Sequence, residues 1–130
     1  MILLDTCVLL WLPLGAKKLP RAVVDAIRRT PRGQRWVCPL SAYEIGTKVA
    51  RGKLSLPLPI AEWLETTYRG RGLTPLPITG EVCLRASQLP DIHRDPVDRI
   101  LVAQALEHGL ILLTCDANIH RYPGVQAVWT

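Results

Sequence analysis

Histidine is scarce in this chain. Only His93, His108 and His120 occur among 130 residues, and no serine or cysteine stands in an arrangement that would build a nucleophilic triad around them. The four cysteines, Cys7, Cys38, Cys83 and Cys115, form no CxxC pair, so a zinc site is not expected. Each lies in an apolar stretch, and all four are expected to be small core residues of a reduced, cytoplasmic protein. No apolar run is long enough to cross a bilayer. The first residues, MILLDTCVLLWLPLGAKK, are interrupted by Asp5, and the basic pair Lys17-Lys18 follows the apolar run instead of preceding it. That order argues against a signal peptide or anchor. Internal repeats, low-complexity tracts and interdomain linkers are also lacking, so residues 1–130 are read as one domain.

What is present is a globular composition, 48% hydrophobic and 21% charged, in a chain long enough to bury a real core. Sixteen Lys and Arg against eleven Asp and Glu leave a net charge of +5, which favours a polyanionic partner, either nucleic acid or an acidic protein. Twelve of the sixteen are Arg, the better residue for bidentate phosphate contacts.

The stretch from Asp95 to Asp116, DPVDRILVAQALEHGLILLTCD, reads as a helix, a tight turn and a buried strand. Asp95 is expected to cap the helix and Pro96 to take its first position, where a missing N–H costs nothing. Gly109 stops it. Leu110 to Leu113 is short and apolar, as in a central parallel strand. Asp98 then falls in the first turn of a buried helix, and Asp116 just past the carboxyl end of a strand, the edge where open α/β sheets bind ligands.

The remaining chain alternates in the same way. Ile2 to Leu4 is a strand ended by Asp5 and Thr6, with a short helix over Val8 to Leu12 that Pro13 stops. Leu19 to Thr30 has helical spacing. Trp36 to Cys38 is a strand, after which Ser41 is expected to cap a helix with Glu44 completing a capping box. Leu54 to Pro59 is an extended linker and Ile60 to Arg69 a helix. Leu73 to Ile78 is a strand that Pro75 and Pro77 confine to a sheet edge. Thr79 caps a helix to about Leu89, and Val125 to Trp129 closes the chain as a strand. Strands alternating with helices predict an α/β domain, a central parallel sheet with helices on both faces.

On this map five of the eleven carboxylates stand apart: Asp5, Glu44, Asp95, Asp98 and Asp116. Asp95 has a sufficient role as an N-cap. The other four fall at or near one edge of the sheet, Glu44 and Asp98 being expected in the first turns of helices that begin there. Clustered acids repel, and a divalent cation removes the conflict. With all-oxygen ligands the ion expected is Mg²⁺ or Mn²⁺, held by Asp5, Glu44, Asp98 and Asp116. Such a site activates and orients a water and stabilises charge on a phosphate in an in-line displacement. Lys48, Arg51, Lys53, Arg94 and Arg99 lie close to these acids in sequence and are candidates for contacting the phosphates of a polyanionic partner, which the resemblance below makes an RNA backbone. Arg99 has a second possible role, pairing with an acid.

Three segments also carry a resemblance. ILLDTCVLLW, PLSAYEIGTKVARGKL and RDPVDRILVAQALEHGLILLTCD are similar to PIN domains, and more closely to VapC-type toxins of bacterial toxin–antitoxin pairs. The resemblance spans nearly the whole chain and implies the PIN-like α/β fold and a Mg²⁺- or Mn²⁺-dependent endoribonuclease acting on tRNA or other structured RNA. It implies that Asp5, Glu44, Asp98 and Asp116 are the four acids. Thr6, Asp95 and Thr114 would stand just behind the metal. It further implies a VapB-type antitoxin as partner, a toxin homodimer, and promoter DNA bound only through the antitoxin complex. The Ile60 to Leu64 segment is a candidate for either protein contact. Val97 departs from the pattern, which usually has Phe there. Two rival readings fit the residues less well. A haloacid-dehalogenase-like phosphatase needs an Asp where Cys7 stands. A non-catalytic module binding nucleic acid or a regulatory protein would be repelled from phosphate by the four acids unless metal is bound.

Overall fold

The structure, a computed structural model, describes residues 1–14 and 18–130. Residues 15–17 lie outside it, so half of the Lys17-Lys18 pair is not described. The strands are β1 (Ile2–Leu4), β2 (Arg35–Val37), β3 (Leu73–Pro75), β4 (Ile111–Leu113) and β5 (Ala127–Val128). The helices are α1 (Thr6–Trp11), α2 (Arg21–Arg29), α3 (Pro39–Ala50), α4 (Ile60–Arg71), α5 (Gly80–Ser87) and α6 (Pro96–His108), with a 3₁₀ turn at Ile119–Arg121.

All strand pairs are parallel, in the order β3-β2-β1-β4-β5. The chain first builds outward on one side of β1 and then crosses to the other. The carboxyl ends of β1 and β4 therefore flank a switch point, where such sheets leave a crevice. Leu4 is paired with both Val37 and Leu113. Asp5 and Thr114 consequently leave the sheet at one level, and the Asp5 amide donates to the Leu113 carbonyl at 3.0 Å.

Alternate residues of the strands enter two cores. Ile2, Leu4, Val37 and Leu113 pack with Val8, Leu9, Val23, Ile27, Ile45 and Trp63 from α1 to α4. Leu3 and Leu112 pack on the opposite face with Leu101, Val102 and Ala105 of α6. Helix α5 covers α6 through Val82 and Ala86 against Ala103. This is the expected sheet with helices on both faces. The proline-bearing β3 takes the edge, since proline cannot donate to a ladder. Helix α6 is capped as expected: the Asp95 side chain accepts from Val97 N at 2.9 Å, Pro96 follows, and Gly109 ends the helix at φ 63°.

Three local expectations are corrected. Helix α1 starts at Thr6, not Val8, because the Asp5 side chain caps it by accepting from Thr6 N at 2.6 Å. Helix α3 starts at Pro39 with Cys38 as N-cap, since proline is preset for the first helical position. Ser41 is therefore inside the helix, the capping box does not form, and Glu44 sits in the second turn instead of the first. The cysteines are not all core: Cys38 is buried, Cys7 half-buried, and Cys83 and Cys115 exposed.

Candidate metal centre

A cleft of about 490 Å³ opens at the carboxyl edge of β1 and β4. Asp5, Glu44, Asp98 and Asp116 all line it, together with Asp95, Lys48, Cys7, Leu10, Trp11 and Cys115. Each acid arrives by a different route. Asp5 follows a strand buried on both faces. Glu44 projects from α3, Asp98 from the first turn of α6, and Asp116 lies just beyond β4.

Asp5 is 8% exposed and held on both oxygens. One caps α1; the other accepts from the Thr114 hydroxyl at 2.5 Å. The same Thr114 oxygen accepts from the Asp116 amide at 3.1 Å, so one hydroxyl ties two of the acids together. The Thr6 hydroxyl donates to Ser41 Oγ at 2.9 Å and locks α1 to α3, the helix that carries Glu44.

The electrostatics are those of an acid cluster short of positive charge. Burial, reinforced by Asp116 and Asp95, raises the Asp5 carboxyl above its ordinary range against the hydrogen bonds from Thr114 and Thr6. Burial raises Glu44 too, with Asp5 and Asp95 adding and Lys48 opposing. Asp98 is pushed up to about 7, first by burial and then by Asp5 and Asp95, with His93 opposing. Among the described residues no ion pair involves Asp5 or Glu44. A divalent cation at these oxygens would relieve the burial and repulsion terms together, so the donor set fits a hard ion.

One participant lies outside the all-oxygen set that the sequence suggests. His93 Nε2 lies 3.0 Å from Asp98 Oδ2 and 2.9 Å from Asp116 Oδ2. These three residues offer ligand atoms all within 4.8 Å of one another. The Asp95 amide donates to His93 Nδ1 at 3.1 Å, which places the imidazole proton on Nε2, facing the two carboxylates. The only signal for it in the sequence was its position two residues before Asp95.

The basic residues divide. Lys48, Arg51 and Lys53 are exposed and line an adjoining groove of about 270 Å³ with Tyr43, Glu44, Thr47, Asp95 and Val97. Arg94 is exposed beside the cleft-lining Asp95. Arg99 is corrected. Its guanidinium donates to the carbonyls of Pro90, His93, Ala86 and Leu89 at 2.8–3.1 Å, and among the described residues it makes no ion pair with an acid. It clamps the loop that carries His93.

The fold and acid cleft define a PIN-type α/β domain. Residues 2–125 match the PIN domain family, and the chain belongs to it. It is 30% identical over 133 aligned positions to Ribonuclease VapC22 of Mycobacterium tuberculosis, with 98% of each chain covered. Among solved structures, a chain of VapBC2 from Rickettsia felis bound to a DNA fragment from its promoter is similar at a TM-score of 0.71 and 13% identity, each chain covered in full. A chain of FitAcB from Neisseria gonorrhoeae is similar at a TM-score of 0.67 and 21% identity, with 98% of this chain and 96% of that one covered.

Proposed function

We propose that this chain is the endoribonuclease toxin of a toxin–antitoxin pair and that its activity depends on Mg²⁺ or Mn²⁺. The observation that carries the reading is the convergence of Asp5, Glu44, Asp98 and Asp116 on one cleft, with burial and mutual repulsion raising three of them. The kinship with a ribonuclease along the full chain supplies the reaction class.

Asp5, Glu44, Asp98 and Asp116 would hold the ion. When bound, it supplies positive charge to the scissile phosphate and acidifies water for the attack. The chain's own residues supply position. Thr114 fixes Asp5 and the Asp116 backbone, Thr6 and Ser41 fix α3 against α1, and His93 spans Asp98 and Asp116. Lys48, Arg51, Lys53 and Arg94 would bind RNA phosphates, with tRNA or another structured RNA as the substrate class.

The toxin–antitoxin complexes among the similar structures support a VapB-type antitoxin as partner, and promoter DNA bound through that complex. A homodimer and cytoplasmic residence belong to the same proposal. Among the described residues no helix is long and apolar enough to cross a membrane.

The test compares wild type with Asp5→Asn and Asp98→Asn on total cellular RNA, with Mg²⁺, Mn²⁺ or EDTA, using circular dichroism to verify folding. Discrete cleavage by wild type alone, stopped by EDTA, is the expected result. Equal cleavage by folded variants would overturn the assignment.

A further inference from the structure

Cys7 and Cys115 are 108 residues apart in sequence, yet their Sγ atoms stand 3.2 Å apart. The sheet brings them together. Cys7 lies in the first turn of α1, just beyond β1, and Cys115 lies just beyond β4, the strand paired with β1. Both line the acid cleft, Cys115 exposed and Cys7 half-buried. A disulfide has sulfurs about 2.05 Å apart, so the pair is roughly 1 Å short of bonding. Nothing in the proposed reaction uses either thiol. The other cysteines are elsewhere: Cys38 is buried, and Cys83 is exposed on α5.

We propose that Cys7 and Cys115 form an oxidisable pair that closes to a disulfide at the mouth of the acid cleft, and that closure weakens divalent-metal binding there. The oxidant is a peroxide. Cys115, the exposed thiol, reacts first: its sulfur takes one peroxide oxygen to become a sulfenic acid, and the other oxygen leaves as water. The Cys7 sulfur then attacks the sulfenic sulfur. The S–O bond breaks, and the departing hydroxide leaves as water with the Cys7 proton. In sum the two thiols lose two hydrogens and two electrons, and the peroxide becomes two waters. A dithiol reverses the bond by exchange.

The consequence for the acids follows from position. Cys115 sits between Thr114, whose hydroxyl holds Asp5, and Asp116. Cys7 sits two residues after Asp5 in the helix that Asp5 caps. Drawing the sulfurs together by roughly 1 Å displaces the segments carrying two of the four acids, whereas metal–ligand distances tolerate only about 0.2 Å. The metal half of this inference rests on the proposed role of the acids; the thiol chemistry does not.

The test treats the full-length protein with hydrogen peroxide and counts free thiols after denaturation. Wild type is expected to lose two, with peptide mapping joining Cys7 to Cys115. Cys83→Ser should behave like wild type, while neither Cys7→Ser nor Cys115→Ser should form the bridge. Binding of Mn²⁺ alone, read from the electron paramagnetic resonance of the free ion, should weaken roughly tenfold on oxidation and recover with dithiothreitol. In Cys115→Ser it should not respond to peroxide. An unchanged thiol count, a bridge to Cys83 or between molecules, or equal Mn²⁺ affinity in bridged and reduced protein would each overturn the proposal. Reduced wild type that binds no Mn²⁺ would instead overturn the metal reading of the acids, on which the thiol count does not depend.

Discussion

His93 Nε2 lies 2.9 Å from Asp116 Oδ2, joining the loop before α6 to the segment beyond β4. The same nitrogen also meets Asp98 at 3.0 Å, and the backbone amide of Asp95 orients the ring from behind. A group in that position sets how two acids face a cation. His93→Ala should lower Mn²⁺ affinity by roughly 10- to 100-fold, the usual cost of losing a partner that orients metal ligands. His93→Gln, which retains an N–H donor, should recover part of the loss. Isothermal titration with Mn²⁺ checks both variants.

Direct removal of a charge should be costlier to the reaction. Asp5→Asn or Asp98→Asn should cut the cleavage rate roughly 100-fold or more, about 3 kcal/mol of lost stabilisation of transition-state charge. Single-turnover cleavage of a labelled target RNA measures it.

The stability of the metal-free protein should depend on pH in an unusual direction. Asp98 ionises at about 7 in the folded chain, whereas an unfolded Asp ionises near 3.9. Between those values the folded state holds a proton that the unfolded state has released, so stability falls as pH rises through the window. Asp5 and Glu44 are raised as well and act with the same sign. In EDTA the melting temperature should be higher at about pH 5 than at about pH 7.5, and excess Mn²⁺ should reverse the order because it binds the ionised acids. Differential scanning fluorimetry decides it.

Two kinds of arginine and lysine substitution should separate cleanly. Loss of Lys48, Arg51 or Lys53 should weaken RNA binding and reduce the slope of log affinity against log salt by roughly one each, with stability almost unchanged. Arg99→Ala should do the opposite. It strips donors from four carbonyls and should cost about 2–3 kcal/mol in urea unfolding. The salt slope should not move.

The parts of the fold legible in the sequence were those set by local chemistry. The Asp95-Pro96 start and Gly109 stop of α6, the edge placement of the proline-bearing β3, and the apolar β1 and β4 all follow from short-range rules. The cleft could be located because Asp5 directly follows one buried strand and Asp116 lies shortly past the end of another. Most of what stayed hidden depended on contacts between distant segments, the start of α3 being a local exception. Ser41 has the chemistry of a cap, but Pro39 two residues earlier sets the helix start. Arg99 has the charge to meet phosphate, but the carbonyls ending α5 and the following loop surround it. His93 joins the site because its loop meets Asp116 and Tyr122, both beyond β4, and Cys115 leaves the core because its strand has already ended.

The Thr114 hydroxyl and the Asp5 carboxylate are separated by 109 residues. Strand β1, which leads into Asp5, lies at the centre of the sheet, and its second neighbour β4 comes only after β2, β3 and α1 to α6. A nascent chain that has emerged only as far as α6 already carries Asp5, Glu44 and Asp98, but it has neither Thr114 to orient the first nor Asp116 to complete the set. On the proposed reading of the acids, a chain of that length does not hold the full donor set. Asp5 and Asp116 meet only when β4 pairs with β1, a contact between segments far apart in the chain.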